Sequence, residues 1–288
     1  MPLGDVGGQS VEASYRQAVK QCEEKVARIV AECRLHNQKY CDPHFELSVG
    51  AVDPLHSLTA DPPEQSRDAN ASQNNAVTYQ LTQTSSGPAP ITWGTVQPAG
   101  SLAEQTDSDD GGPPSVKRVG DIFDNPQFFM VGGARTIDTR QGAEGDCWFI
   151  SALGSLCTDT DFKHLIEKVC PENARDEKVG VYGFVFHRDG EWISEIIDDK
   201  LYLRKPDFDD WVGNDRDNWV SYQKDVQRVS EGQLEEEYRK AFQSNSTALY
   251  YSSCADPNET WVPLLEKAFA KAHGDYGAIA GGSQGQAW

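Results

Sequence analysis

The residues best suited to chemistry lie between Val131 and Phe149, in the stretch VGGARTIDTRQGAEGDCWF. Cys147 opens an apolar run, CWFISALGSL, made of helix formers and small residues. Asp146 stands directly before it and reads as an N-cap. Gly142 and Gly145 permit a tight loop just ahead of the cap. The cysteine is therefore expected at the first turn of a buried helix, where the positive end of the helix dipole favours a thiolate, the nucleophilic form. Trp148 is large enough to pack that helix into a core. Acyl transfer also needs donors for a developing oxyanion. Gln141 lies across the glycine loop, and its side-chain amide and the Cys147 backbone N–H would share one oxyanion. A lone cysteine in an apolar helix is most often a packing residue, because free Cys is among the most buried residue types. Gln, glycine loop, capped start and Cys-Trp together point instead to a nucleophile.

Such a thiol needs a base, and the base needs an orienting group. The histidines after Cys147 are His164, His187 and His273. His164 falls on the polar side of a short helix and His187 at a strand end beside a turn. His273 sits at a helix C-terminus, where its ordinary role is to interact with the dipole. None reads as the base.

The segment QGAEGDCWF resembles the nucleophile segment of the calpains, Q-G-x-x-G-D-C-W. The likeness extends upstream to Val131-Gly-Gly133 and Asp138. Downstream it resumes in Gly190-Glu-Trp192, in Asp198-Asp199, and in the run from Asn258 through Tyr276 to Gly281-Gly282. The likeness is strongest to calpain-like proteins of fungi and other lower eukaryotes. It implies an intracellular, calcium-dependent cysteine endopeptidase that cuts proteins by thioester acylation at Cys147, with Gln141 in the oxyanion hole. It implies one calcium ion in this lobe, held by the carbonyls of Val131 and Gly133 and the carboxylates of Asp138 and Glu259. Oxygen ligands of this kind suit calcium. Read without the resemblance, Asp138 is an Asp in a turn and Glu259 a Glu near a helix start, each simply capping. The family's catalytic His and Asn belong to a second, β-rich lobe expected beyond Trp288, so the chain alone is expected to be inactive. The competing reading is a non-catalytic calpain-like scaffold or regulatory protein lacking the histidine. Two departures bear on the choice. Glu144 stands where calpains mostly carry an apolar residue, and Arg135-Thr136 reverses their usual order.

The elements that must position these groups point to an α+β fold: a papain-like helical nucleophile lobe with a small antiparallel hairpin, preceded by an amphipathic helix and a flexible linker. Residues 1–52 form the helical N-terminal segment. Within it Val11, Tyr15, Ala18, Val19, Cys22, Val26, Ile29 and Cys33 recur at helical spacing over 10–40, and Pro43 is the stop. Tyr40 to Phe45 reads as an apolar anchor. Residues 53–115, rich in Pro, Ser, Thr, Gln, Asn, Asp and Gly, read as a low-complexity linker. Residues 116–288 form the incomplete protease core. Its opening stretch, 116–130, buries Phe123, Phe128 and Phe129, and a helix follows over 160–169. A hairpin follows over 178–203, turning at Arg188-Asp-Gly190. A helix over 259–273 is stopped by Gly274. Residues 204–250, with a helix over 231–243, read as an insertion relative to calpains.

A formal net charge of −19 over 288 residues leaves no basic face for nucleic-acid phosphates or an anionic membrane. No apolar run approaches a membrane span, and MPLGDVGGQS has no secretory-signal character. Seven cysteines, an odd number with no C-x2-C pair, suit a reducing compartment and a cytoplasmic protein. The expected partners are protein substrates.

Overall fold

The axis of the fold is helix α7 (Trp261–His273), which is buried almost all the way round. Leu, Ala, Lys and Glu are strong helix formers, and Pro263 lies in the first turn, where its missing N–H costs nothing. Gly274, with φ of 120°, ends the helix as expected. The structure is a computed structural model that describes residues 11–47, 49, 112–130, 133, 139–143, 145–158 and 163–281. All of these belong to one unit. The linker expected over 53–115 lies outside them apart from 112–115.

The hairpin forms where the sequence places it. Strands β4 (Val181–Arg188) and β5 (Glu191–Asp198) pair antiparallel, from Val181 opposite Asp198 to Arg188 opposite Glu191. Asp189 and Gly190 both have positive φ, 54° and 87°, the geometry of a two-residue hairpin turn that matches strand twist. A short strand, β3 (Arg175–Asp176), adds to the β4 edge, so the sheet has three strands. The run VYGFVF in β4 is buried on both faces. Tyr182 and Phe184 join the main core with Ile197 and the α7 residues. Val181 and Val185 face helix α1 (Val11–Leu35).

Helix α1 lies on that second face of the sheet through Ala18, Cys22, Val26 and Cys33, the middle and end of the anticipated apolar stripe. Val11, at its start, is exposed. The helix stops at Leu35, short of the expected end near residue 40, because Asn37 turns left-handed with φ of 49°. The Asn37 N–H donates to the Arg34 carbonyl at 3.3 Å and the Gln38 N–H to the Cys33 carbonyl at 2.9 Å. This pair of bonds is a Schellman cap, which satisfies the last carbonyls. The Tyr40 to Phe45 anchor then inserts Phe45 into the main core.

Asp198 and Asp199, at the end of β5, hold the anchor and α7 together. Asp198 pairs with Lys267 and accepts from the Asp42 N–H. Asp199 pairs with Arg118, whose guanidinium also donates to the Tyr40 carbonyl. Arg118 ends strand β1 (Ser115–Arg118), which pairs antiparallel with β6 (Lys200–Leu203) and leads into the short helix α2 (Val119–Ile122).

The remaining elements frame the cysteine. Strand β2 (Thr139–Arg140) pairs with β7 (Ser253–Cys254), followed by α3 (Cys147–Thr158) and α4 (Lys163–Val169). Residues 204–250 build a sub-core of their own. Helix α6 (Leu234–Phe242) follows a single 3-10 turn, Glu231–Gln233, which a capping box of Ser230 and Gln233 opens, close to the expected 231–243. Helix α5 (Asn214–Asp225) has no counterpart among the elements expected from the sequence. Trp211, Trp219, Tyr238 and Phe242 pack together with ring centroids 4.9–5.9 Å apart. They border a cavity of about 230 Å³ with Lys205 and Asp215. Helix α8 (Tyr276–Ile279) closes the described chain under Tyr202 and Tyr251. The architecture is α+β. Among the described residues no helix is long and apolar enough to cross a membrane.

Candidate active site at the Cys147 turn

Cys147 is the first residue of α3 and is exposed, whereas Asp146, Trp148, Phe149 and Ile150 around it are buried. The flanking side chains supply the anchorage. The Trp148 indole N–H donates to the Ile279 carbonyl at 2.9 Å. Phe149 stacks on Phe269 of α7, centroids 4.3 Å apart and planes 12° off parallel. A helix fixed by its second and third residues presents its first to solvent.

The loop before the cysteine is fixed as well. The Ala143 N–H donates to the Tyr250 carbonyl at 2.9 Å, and the Gly281 N–H donates to the Gly145 carbonyl at 2.9 Å. Gly142 lies so close to the 250–251 backbone that a Cβ there would sit 2.1 Å from the Tyr251 carbonyl oxygen. Glycine is therefore required at 142 by close approach. Gln141 is exposed at the other end of this tied loop. The structure thus carries Gln141 and Cys147 on one braced turn, both open to solvent. Glu144 lies outside the described residues.

Asp146 occupies the N-cap position, but only its backbone behaves as a cap. Its carbonyl accepts from the Phe149 and Ile150 N–H groups at 2.8 and 3.2 Å. The carboxylate makes no capping bond. It turns inward to Glu266, a residue of α7 that no sequence motif marks. Glu266 falls outside the apolar stripe of α7, and its burial would have been visible only with its partners in hand.

Of the four positions matched to a calcium site, Val131 and Asp138 lie outside the described residues, as do Arg135 and Thr136. Gly133 and Glu259 are described. Gly133 has φ of 70°, and its N–H donates to the Met130 carbonyl at 3.0 Å. Glu259 is fully buried, and its Oε1 accepts from the Met130 N–H at 2.8 Å. The Gln127 N–H donates to the Asn258 carbonyl, and the Thr260 N–H to the Gln127 carbonyl, at 2.9 and 3.0 Å. The turn carrying Gly133 is therefore sewn to the segment carrying Glu259. A buried carboxylate at a turn is an oxygen donor of the kind calcium takes. Among the described residues no group of three or more His, Cys, Asp or Glu side chains is spaced to hold a metal.

His187 is exposed and lies edge-on to Trp192. The His273 Nδ1 is 2.9 Å from the Phe269 carbonyl of its own helix, the last-turn role expected of it. The side chain of His164 lies outside the described groups. All seven cysteines are free thiols.

A family model described as calpain family cysteine protease matches residues 98–222 and 239–288. The gap in this match falls inside the 204–250 segment. Calpain-8 of Mus musculus is 34% identical over 169 residues, covering 58% of this chain and 18% of that protein. A calpain of Schistosoma mansoni is 32% identical over 174 residues, covering 59% of this chain and 17% of that protein. The calpain-1 catalytic subunit of Bos taurus is 31% identical over 169 residues, covering 58% and 17%. The chain thus spans less than a fifth of the length of these relatives. With a match across more than half of its residues, the chain belongs to the calpain family of cysteine proteases.

Proposed function

We propose that this chain is the papain-like nucleophile lobe of a calcium-dependent cytoplasmic cysteine endopeptidase acting on extended segments of other proteins. The observation that carries the reading is the exposed Cys147 at the start of α3, with every residue from Asp146 to Ile150 except the cysteine buried. In the proposed reaction the Cys147 thiolate attacks a peptide carbonyl and a C–S bond forms. The Gln141 side-chain amide and the Cys147 N–H take the oxyanion. The amine leaves with a proton delivered by a histidine of a second lobe, and water then hydrolyses the thioester. Val131, Gly133, Asp138 and Glu259 would hold a calcium ion, whose charge would tie the 130–138 segment to the start of α7.

Thiol labelling tests the assignment. Cys147, resolved by mass spectrometry, should react with a peptide-directed alkylator faster than the exposed Cys41, and Gln141→Ala should slow it selectively. Equal reactivity of the two thiols, unaffected by Gln141→Ala, rules the assignment out. It would favour a non-catalytic calpain-like scaffold.

A further inference from the structure

Asp146 and Glu266 are both fully buried and meet side chain to side chain beneath the Cys147 turn. Glu266 Oε2 accepts from the Ser252 N–H at 3.0 Å and the Ser252 hydroxyl at 2.5 Å. Among the described residues, Glu266 Oε1 and both Asp146 oxygens accept from no other residue's donor, and only the Asp146 N–H acts on its own carboxylate. Among the described residues, no lysine, arginine or histidine is a cause of the shift at either carboxyl. Lys267, next along α7, is committed to Asp198. The remaining titratable groups around the pair are Tyr276 of α8 with Tyr251 and Tyr202, none of them cationic.

Two carboxylates in contact without a cation cannot both be ionised. Burial raises Glu266 well above the usual carboxylate range, and the neighbouring Asp146 raises it further. Burial also raises Asp146, with the hydrogen bond from Glu266 opposing it. One proton between the two groups bridges Glu266 Oε1 to one Asp146 oxygen, and the Asp146 backbone N–H acts on its own carboxylate.

We propose that Asp146 and Glu266 share a single proton, and that the resulting acid–carboxylate hydrogen bond positions the Cys147 turn on α7. The proposal rests on the reading of Cys147 as the nucleophile only for its functional consequence. The pair joins the residue before the cysteine to the central helix, so its integrity sets where α3 begins. Asp146 and Glu266 are positioning residues. Loss of the shared proton would place two negative charges in contact and push the turn away from α7.

The test uses the whole chain. Infrared spectra at neutral pH should show the carbonyl stretch of a protonated buried acid. The band should be lost in Asp146→Asn and in Glu266→Gln, since an amide replaces the proton as donor in each. No such band in the wild type, or a band surviving in both folded variants, overturns the shared proton. If a variant fails to fold, the wild type still decides, because the band must disappear as pH rises. The positioning role is read at Cys147. Site-resolved alkylation should show a step at the pH where the band disappears, absent from Cys41 and from Glu266→Gln. Identical Cys147 profiles in wild type and folded Glu266→Gln overturn it. Should the band behave as expected while Cys147 is no more reactive than Cys41, the shared proton stands and the nucleophile reading fails.

Discussion

Lys267 and Asp198 form an ion pair sealed from solvent, with Nζ 2.5 Å from Oδ1 and side chains 0% and 1% exposed. The ammonium also donates to the Asp198 and Lys200 carbonyls at 3.2 and 2.8 Å. Burial opposes ionisation of Asp198, but Lys267 and two backbone N–H groups more than offset it and hold the carboxyl below its usual range. Removing one partner leaves the other charged and buried. Lys267→Met should therefore destabilise the chain by about 3–5 kcal/mol, measured by urea unfolding. Asp198→Asn added to it should recover part of that loss. The wild type should lose the Asp198 contribution as pH falls through the folded-state value, because the unfolded carboxyl binds the proton more readily. A Lys267→Met chain as stable as the wild type would show that the pair is not charged.

Gly183 in β4 marks the contact with α1. A Cβ there would lie 2.5 Å from the Cys22 sulfur and 3.1 Å from Val26 Cγ2. Gly183→Ala should force α1 outward at a cost of about 1–3 kcal/mol, the usual range for overpacking. Limited proteolysis should then cut within residues 11–35 before it cuts the core. An unchanged cleavage pattern would mean that α1 is not held by this contact.

How far the fold is legible in the sequence follows from how local its causes are. The α1 stripe, the hairpin turn at Asp189-Gly190 and the Gly274 stop are written in neighbouring residues, and all three appear. Helix α5 is not legible in the sequence because NDRDNWVSYQKD has no apolar stripe. Trp219 is fixed instead by Trp211, Tyr238 and Phe242, which lie outside its own helix. Helical spacing alone picks out Trp261, Leu264, Leu265, Ala268 and Phe269 as the apolar face of α7. Glu266 and Lys267 between them are fully buried because their partners, Asp146 and Asp198, arrive from far along the chain. Asp146 shows the same limit at the candidate site. Its position before the helix is a local signal, but the direction of its carboxylate is set by a distant acid.

Glu259 offers a direct probe of calcium. Its buried carboxylate faces the turn that carries Gly133. An ion that binds only the folded chain stabilises it by about 2.7 kcal/mol at a hundredfold excess over Kd. Calcium should therefore raise the melting temperature of the wild type. Glu259→Gln keeps the shape but removes the charge, and should abolish that rise while magnesium leaves both proteins unchanged. A calcium-dependent rise of equal size in both would remove Glu259 from the site.

Gly142 tests whether the braced loop matters to the cysteine. Because a Cβ at this position would meet the Tyr250 and Tyr251 backbone within 2.5 Å, no side-chain rotation can relieve the clash. Gly142→Ala must lift the loop off residues 250–251 and stretch the Ala143–Tyr250 hydrogen bond, moving Gln141 relative to the start of α3. The Trp148 and Phe149 anchors are untouched, so α3 itself should stay in place. The expected outcome is a lowered Cys147 alkylation rate with a peptide-directed reagent, while the rate with small iodoacetamide changes little. That difference separates a displaced oxyanion and substrate wall from a displaced thiol. Equal loss with both reagents would mean that the loop holds the cysteine rather than the Gln141 side of the site.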